Sequence, residues 1–230
     1  MQTSRYDNHA PWFLNYSAQW TATSSPFLPA DLSGMRVLDL ACGWGPLSRD
    51  LAGRGATVTG VELALPLLQR ARELERTTPQ GITYLHGDVS ELDWWDDQPF
   101  DGAVCNMALM DIDDLDGTLA TMRAVLLPGG WFNLSLLHPC YPGEQDTGAL
   151  SSWPPGAGYG TEGWWTTGST GVRGHVGAIH RKLSTYLNAV LTAGLELTRF
   201  SEPDQTLPRV LIIDGHRPHQ QQPPPEKKSP

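Results

Sequence analysis

The segment Val37-Leu38-Asp39-Leu40-Ala41-Cys42-Gly43-Trp44-Gly45 sets an acid and two spaced glycines at the end of an apolar run. Glycine tolerates positive φ and leaves its backbone open, so Gly43 and Gly45 suit a turn lying against a ligand. A helix beginning at Pro46 would aim free N–H groups and a positive dipole end at the same point. Glu62 follows Val58-Thr59-Gly60-Val61, where a carboxylate can accept hydrogen bonds from two adjacent hydroxyls. Asp88 after Gly87, and Asn106 after Val104-Cys105, each lie just past a further apolar run. This pattern describes a nucleotide-like ligand approached from successive strand ends.

A second group of residues could act on whatever meets that ligand. His138, in Leu137-His138-Pro139-Cys140, is a candidate general base or orienting group, and equally a histidine that closes a strand end. His175 and His180 flank a C-terminal helical segment; His175 is taken as a site residue and His180 as a first-turn helix residue. Residues 139–177 are rich in glycine and carry Tyr141, Trp153, Tyr159, Trp164 and Trp165. A long loop of this kind tends to be functional. Trp153, Trp164 and Trp165 could offer flat apolar surfaces to a substrate as a mobile lid, or pack as a satellite core. The acids Asp111, Asp113, Asp114 and Asp116 suit a helix start, where the dipole favours them, and no metal is expected.

The elements that position these residues alternate in type. Strands are expected at 35–40, 57–61, 82–85, 100–105 and 131–137, with helices at 46–54, 66–76 and 115–127. The last helix carries Leu115, Leu119, Met122, Val125 and Leu126 on one stripe and should stop at Pro128-Gly129-Gly130. Beyond the aromatic insertion come a helix over 180–193 and strands at 195–200 and 209–213. Alternation at this spacing implies an α/β fold, a mostly parallel sheet with helices on both faces. From His216 the Gln/Pro/Lys-rich sequence cannot build a core and is expected to be disordered.

Composition narrows the partners. The net charge of −9 opposes a general grip on nucleic-acid backbones. Residues 1–8 lack the layout of a signal peptide, and no run is long and apolar enough to span a bilayer. Three scattered cysteines, Cys42, Cys105 and Cys140, support neither a disulfide framework nor a zinc site. Cys42 and Cys105 sit in apolar runs as buried thiols, and a cytoplasmic location is expected.

Taken in order, Asp39 to Gly45, Glu62, Gly87-Asp88-Val89, Phe100 to Asn106 and Leu127-Pro128-Gly129-Gly130 resemble the motifs of class I S-adenosylmethionine-dependent methyltransferases. The resemblance covers about half the chain. It implies a Rossmann-like seven-stranded sheet, an N-terminal helical cap over 1–30 and S-adenosylmethionine as cofactor. It also implies that Asp39, Ala41, Gly43 and Gly45 lie against the methionine and ribose portions, with Glu62 on the ribose and Leu63 beside the adenine. Asp88 would meet the adenine amino group, Val89 N–H a ring nitrogen, and Asn106 would end the fourth strand. By the same resemblance Tyr16 or Trp12 of the cap would touch the methionine end. Ser48 replaces the third glycine of a dinucleotide fingerprint, which disfavours a nicotinamide dehydrogenase. Asn106-Met107-Ala108-Leu109 departs from the Asn-Pro-Pro-Tyr pattern of amide-methylating relatives. The implied reaction is methyl transfer to a small organic molecule of secondary metabolism, O-methylation before N- or C-methylation. A protein that binds the cofactor without transferring its methyl group would carry the same motifs.

Overall fold

The computed structural model describes residues 4–19, 22, 25–142, 151–154, 156–167, 171–203 and 206–219. The strands β1 (Arg36–Leu40), β2 (Thr57–Glu62), β3 (Thr83–His86), β4 (Phe100–Asn106) and β5 (Leu126–Leu137) pair in parallel. A short hairpin of β6 (Gly163–Trp165) and β7 (Ala178–His180) stands apart. Finally, β8 (Glu196–Ser201) and β9 (Val210–His216) complete a seven-stranded sheet in the order β3-β2-β1-β4-β5-β9-β8, with β9 antiparallel to both neighbours. Successive strands run outward from β1 to β3, then the chain returns to place β4 on the other side of β1. That reversal opens a crevice at the carboxyl ends of β1 and β4, the usual ligand position in such sheets.

Helices cover both faces. They are α1 (Ala10–Ser17), α2 (Pro46–Gly53), α3 (Leu65–Thr77), α4 (Leu115–Val125), α5 (Val172–His175) and α6 (Leu183–Thr192). Side chains alternate across a strand, so neighbours in sequence enter different cores. Leu38, Ala103 and Cys105 join the core with Leu119, Met122 and Phe132 of α4 and β5. Val37 and Val104 turn the other way, onto Leu47, Leu51 and Leu68 of α2 and α3. Burial of each such leucine contributes about 1.5–3 kcal/mol. Cys42 and Cys105 are buried, whereas Cys140 is exposed.

Three expected boundaries change. Leu126 is extended and begins β5, so α4 ends at Val125 rather than at the Pro128 turn. The cause is local: Leu127, preceding a proline, disfavours the helical region. His180 lies in β7, not in a helix, because its segment pairs with Gly163. The insertion is therefore not structureless: among its described residues it holds β6 and α5. At the far end, pairing continues past the expected start of the tail. His216 is still in β9, and Arg217 exchanges backbone hydrogen bonds with Gly129 and Gly130. Residues 220–230 lie outside the described residues.

Candidate active site

The crevice holds a cavity of about 610 Å³. On one wall, β1 runs into the glycine turn, where Ala41, Gly43 and Gly45 all take positive φ, at 55°, 59° and 88°. A side chain on Gly43 would point into open space, so its absence leaves bare backbone facing the cavity. At Gly45 a side chain would instead strike the Tyr84 hydroxyl; this glycine closes the turn against β3 and does not line the cavity. Across the sheet, Met107 at the end of β4 also has positive φ, 54°. Such residues cost roughly 1–3 kcal/mol each and cluster where a site demands them. Ala41 and Met107 both line the cavity.

Glu62 ends β2 beside the turn. Its Oε2 accepts Gly43 N–H at 2.8 Å and its Oε1 accepts Ala64 N–H at 2.7 Å. Burial pushes its carboxyl above the usual range, against those amide bonds. Each oxygen keeps a second lone pair, so the acid can hold the turn and still accept ligand hydroxyls. Asp39 lies deeper, 1% exposed, and accepts Ser48 Oγ at 2.6 Å. Burial, partly opposed by that hydroxyl, lifts its carboxyl to about 7. Asp88 accepts both the N–H and Oγ of Ser90, an Asx turn that fixes the loop after β3. Asn106 Oδ1 accepts Ser135 Oγ at 3.0 Å, tying the ends of β4 and β5 together. Ala41, Gly43, Glu62, Leu63, Asp88, Val89 and Asn106 all line the cavity.

The roof is the N-terminal segment. Ala10 packs with Ala64 and Leu67, which anchors α1 on the start of α3. Phe13 and Ser17, one turn apart, face the cavity, and Ser17 Oγ accepts Trp44 Nε1–H at 3.0 Å. Tyr16 and Trp12 occupy the adjacent face. Their rings stack at 4.8 Å, and Trp12 stacks on His175 at 3.8 Å. Among the described residues of 1–30, Phe13 and Ser17 of α1 line the cavity, whereas Tyr16 and Trp12, which the sequence suggested, do not, one residue out of phase.

The remaining candidates lie away from the cavity. His138 is buried; its Nε2 lies 2.8 Å from Glu202 Oε1 and its Nδ1 accepts Cys140 N–H at 3.1 Å. His175 Nδ1 lies 3.2 Å from Gly171 O. Trp153 meets Tyr159 and His180 edge to face. Trp165 is buried in the short hairpin, while Trp164 is 55% exposed. None of these five lines the cavity.

The far wall is closed by residues to which the sequence assigns other roles or none: Asp111 reads as a helix-start acid, and Tyr6 and Arg173 receive no role. Tyr6 Oη donates to Asp111 Oδ2 at 2.9 Å, and Arg173 Nη1 donates to Asp111 Oδ1 at 3.2 Å and to Gly177 O at 3.0 Å. Arg5 pairs with Asp113 and donates to Asp111 O. Arg181 donates to the carbonyls of Leu109, Ile112 and Asp113, stapling the loop after β4 to β7. Of the four acids expected at the α4 start, Asp114 caps Gly117 N–H and Asp116 sits in the first turn. Asp111 alone is drawn inward. Among the described residues there is no cluster able to hold a metal ion, and no helix is long and apolar enough to cross a membrane.

Comparison with known proteins agrees with this geometry. Residues 37–130 match a methyltransferase domain. A ubiquinone biosynthesis O-methyltransferase of Aromatoleum aromaticum is 32% identical over 141 residues, which covers 55% of this chain and 60% of that protein. The chain spans less than two thirds of the length of such curated relatives. The crystal structure of an S-adenosylmethionine dependent methyltransferase from Mesorhizobium loti superposes with a TM-score of 0.67 at 28% identity, across 84% of this chain and 94% of that one. The Burkholderia thailandensis 1,6-didemethyltoxoflavin-N1-methyltransferase, solved with bound S-adenosylhomocysteine, shares the fold with a TM-score of 0.63 at 18% identity, over 93% and 84% of the two chains. The bare glycine backbone and the turn-bound acid at the next strand end thus lie within a segment that matches a methyltransferase domain, on the fold of S-adenosylmethionine dependent methyltransferases.

Proposed function

We propose that this chain transfers a methyl group from S-adenosylmethionine to a small organic hydroxyl acceptor, of the kind found in secondary metabolism. The carrying observation is that one cavity, about 610 Å³, joins the cofactor wall of Gly43, Glu62 and Asp88 to a second wall of Tyr6, Asp111 and Arg173. A volume of this order suits small-molecule sites. The cofactor supplies an activated methyl on a sulfonium; the chain holds it, aligns an acceptor and excludes water. Glu62 and the turn fix the ribose end, Val89 and Leu63 flank the adenine, and Asp39, once ionised above about pH 7, adds negative charge behind the methionine end. Phe13, Ser17 and Trp44 cover the site from above. The O-methyltransferase name of the aligned relatives supports hydroxyl over amine acceptors.

The test uses thermal shift followed by labelled transfer. S-adenosylmethionine and its demethylated product should raise the melting temperature, and NAD should not. Methyl-labelled cofactor incubated with catechol should yield labelled ether. Stabilisation by NAD alone would defeat the reading. Cofactor binding with catechol turnover but no label transfer would make the protein a binder that does not methylate.

A further inference from the structure

Within the proposed transfer, the base has to come from the cavity itself. His138 and His175 lie outside it, one holding Glu202 and Cys140, the other stacked on Trp12. Of the described acids that line the cavity, Glu62 and Asp88 are committed to the cofactor wall. Asp114 caps α4, and Asp113 is 67% exposed in its pair with Arg5. Asp111 differs from all four: its side chain is 15% exposed, and each oxygen receives one donor, Tyr6 Oη on Oδ2 and Arg173 Nη1 on Oδ1. Two donors, one on each oxygen, hold the carboxylate and leave one lone pair on each oxygen for a third partner. Arg173 is itself 4% exposed, and its Nε finds no partner among the described residues, so this buried network has unused donor capacity beside the cavity.

The surroundings say what that partner is. Tyr6 touches Asp111 and meets the Phe13 ring edge to face at 4.8 Å, and both rings line the cavity, an apolar wall suited to an aromatic ring. We propose that Asp111 is the general base of the reaction and that its substrate is a phenol-type hydroxyl, with Tyr6 and Arg173 as the residues that position it. The acceptor's O–H proton passes to a free lone pair of Asp111. The oxygen forms a bond to the methyl carbon as the carbon–sulfur bond breaks, its electron pair returning to sulfur. The products are the aryl methyl ether, neutral S-adenosylhomocysteine and protonated Asp111, which then loses its proton to solvent. Burial raises the Asp111 carboxyl above its ordinary value, against the lowering effects of Arg173, Tyr6 and Arg5. A raised value strengthens the base. Arg5 and Tyr6 face Asp111 from the N-terminal segment, Arg173 from α5, Tyr186 from α6 and Cys105 from β4.

The inference rests on the proposed methyl transfer, and two readouts separate the failures. The first needs no cofactor. 4-Nitrocatechol bound to the protein is titrated by its visible absorbance. Ionised Asp111 beside the phenol opposes a second negative charge, so Asp111→Asn should lower the ionisation midpoint of the bound dye by about one pH unit or more. The second is transfer at pH 8. Asp111→Asn should slow methylation of catechol by roughly 10²–10⁴-fold, yet slow the already ionised 4-nitrocatechol less than about tenfold, with S-adenosylmethionine affinity within about threefold of wild type. An unchanged midpoint, or equal losses for both acceptors, overturns Asp111 as base while leaving the methyl transfer standing. A wild-type protein that binds S-adenosylmethionine but neither binds 4-nitrocatechol nor methylates catechol overturns the phenolic acceptor. Tyr6→Phe should shift the acidic limb of the catechol pH profile and not that of 4-nitrocatechol.

Discussion

The two walls of the cavity are built by different means. On the cofactor wall every residue sits at or just past a parallel strand end, and backbone register does the positioning. Cys42 N–H reaches Val61 O, Gly43 N–H reaches Glu62, and Gly87 N–H reaches Glu62 O, so three strand ends are tied together by hydrogen bonds. On the acceptor wall the partners come from far apart in sequence: Tyr6 and Asp111 are separated by 105 positions, Asp111 and Arg173 by 62. Side chains, not strands, hold them together. A wall made from backbone register tolerates little change, whereas one made from side chains can be retuned for a new acceptor by point substitution.

The largest expected effects therefore fall on the cofactor wall. Glu62→Ala removes the acceptor of two turn amides and the proposed ribose contact together. S-adenosylmethionine affinity should fall at least about a hundredfold by calorimetry, since each lost charged hydrogen bond costs about 1.5–3 kcal/mol. 4-Nitrocatechol binding to the cofactor-free protein should hold. Equal losses on both walls would break the contrast. Gly45→Ala tests the backbone directly, because positive φ and the Tyr84 hydroxyl both oppose a side chain there. It should destabilise the fold by roughly 2–5 kcal/mol, read as a lower denaturation midpoint.

The same contrast explains what the sequence disclosed. Asp39, Gly43, Glu62 and Asp88 were readable because each follows an apolar run, and a parallel sheet carries such positions to one edge. The α4 stripe was readable for the same reason of period. The meeting of Tyr6, Asp111 and Arg173 left no signal, since no local pattern links residues that come together only after the N-terminal segment and the insertion fold back. Asp111 was also masked by its neighbours: four acids before a helix look alike until one is turned inward by a buried arginine. The cap failed by phase. A helix with aromatics at 12, 13 and 16 does not say which face it buries, and packing of Ala10 on α3 decided for Phe13.

Asp39 gives a smaller, pH-dependent effect. Its folded value of about 7 lies above the ordinary carboxyl range, so it is protonated in the folded protein from acid up to near neutrality. It therefore stabilises the fold below its unfolded value, and that contribution is lost as pH rises towards 7. A bound ligand carrying positive charge favours the ionised acid, so S-adenosylmethionine should bind more tightly at pH 8 than at pH 6. Affinity should fall by up to about tenfold per pH unit below 7, with proton release on binding near pH 6.5. Asp39→Asn should flatten this profile. A profile unchanged by the substitution would detach Asp39 from the cofactor wall.

The smallest effect on turnover should come from His138, the residue whose sequence position most resembles a base. Nδ1 accepts Cys140 N–H, which places the neutral ring's proton on Nε2 and directs it to Glu202. Both ring nitrogens are thus used in joining the end of β5 to the segment after β8. The Glu202 contact contributes little, since that side chain is 54% exposed and screened. The Cys140 amide matters more, because a backbone donor without its acceptor costs about 1–3 kcal/mol when shielded from water. His138→Ala should lower thermal stability by that order and leave catechol methylation within about threefold of wild type. His138→Asn, whose amide oxygen can take the Cys140 bond, should recover part of the loss. A hundredfold fall in turnover with the fold intact would move the acceptor to the end of β5 and remove Asp111 from its role.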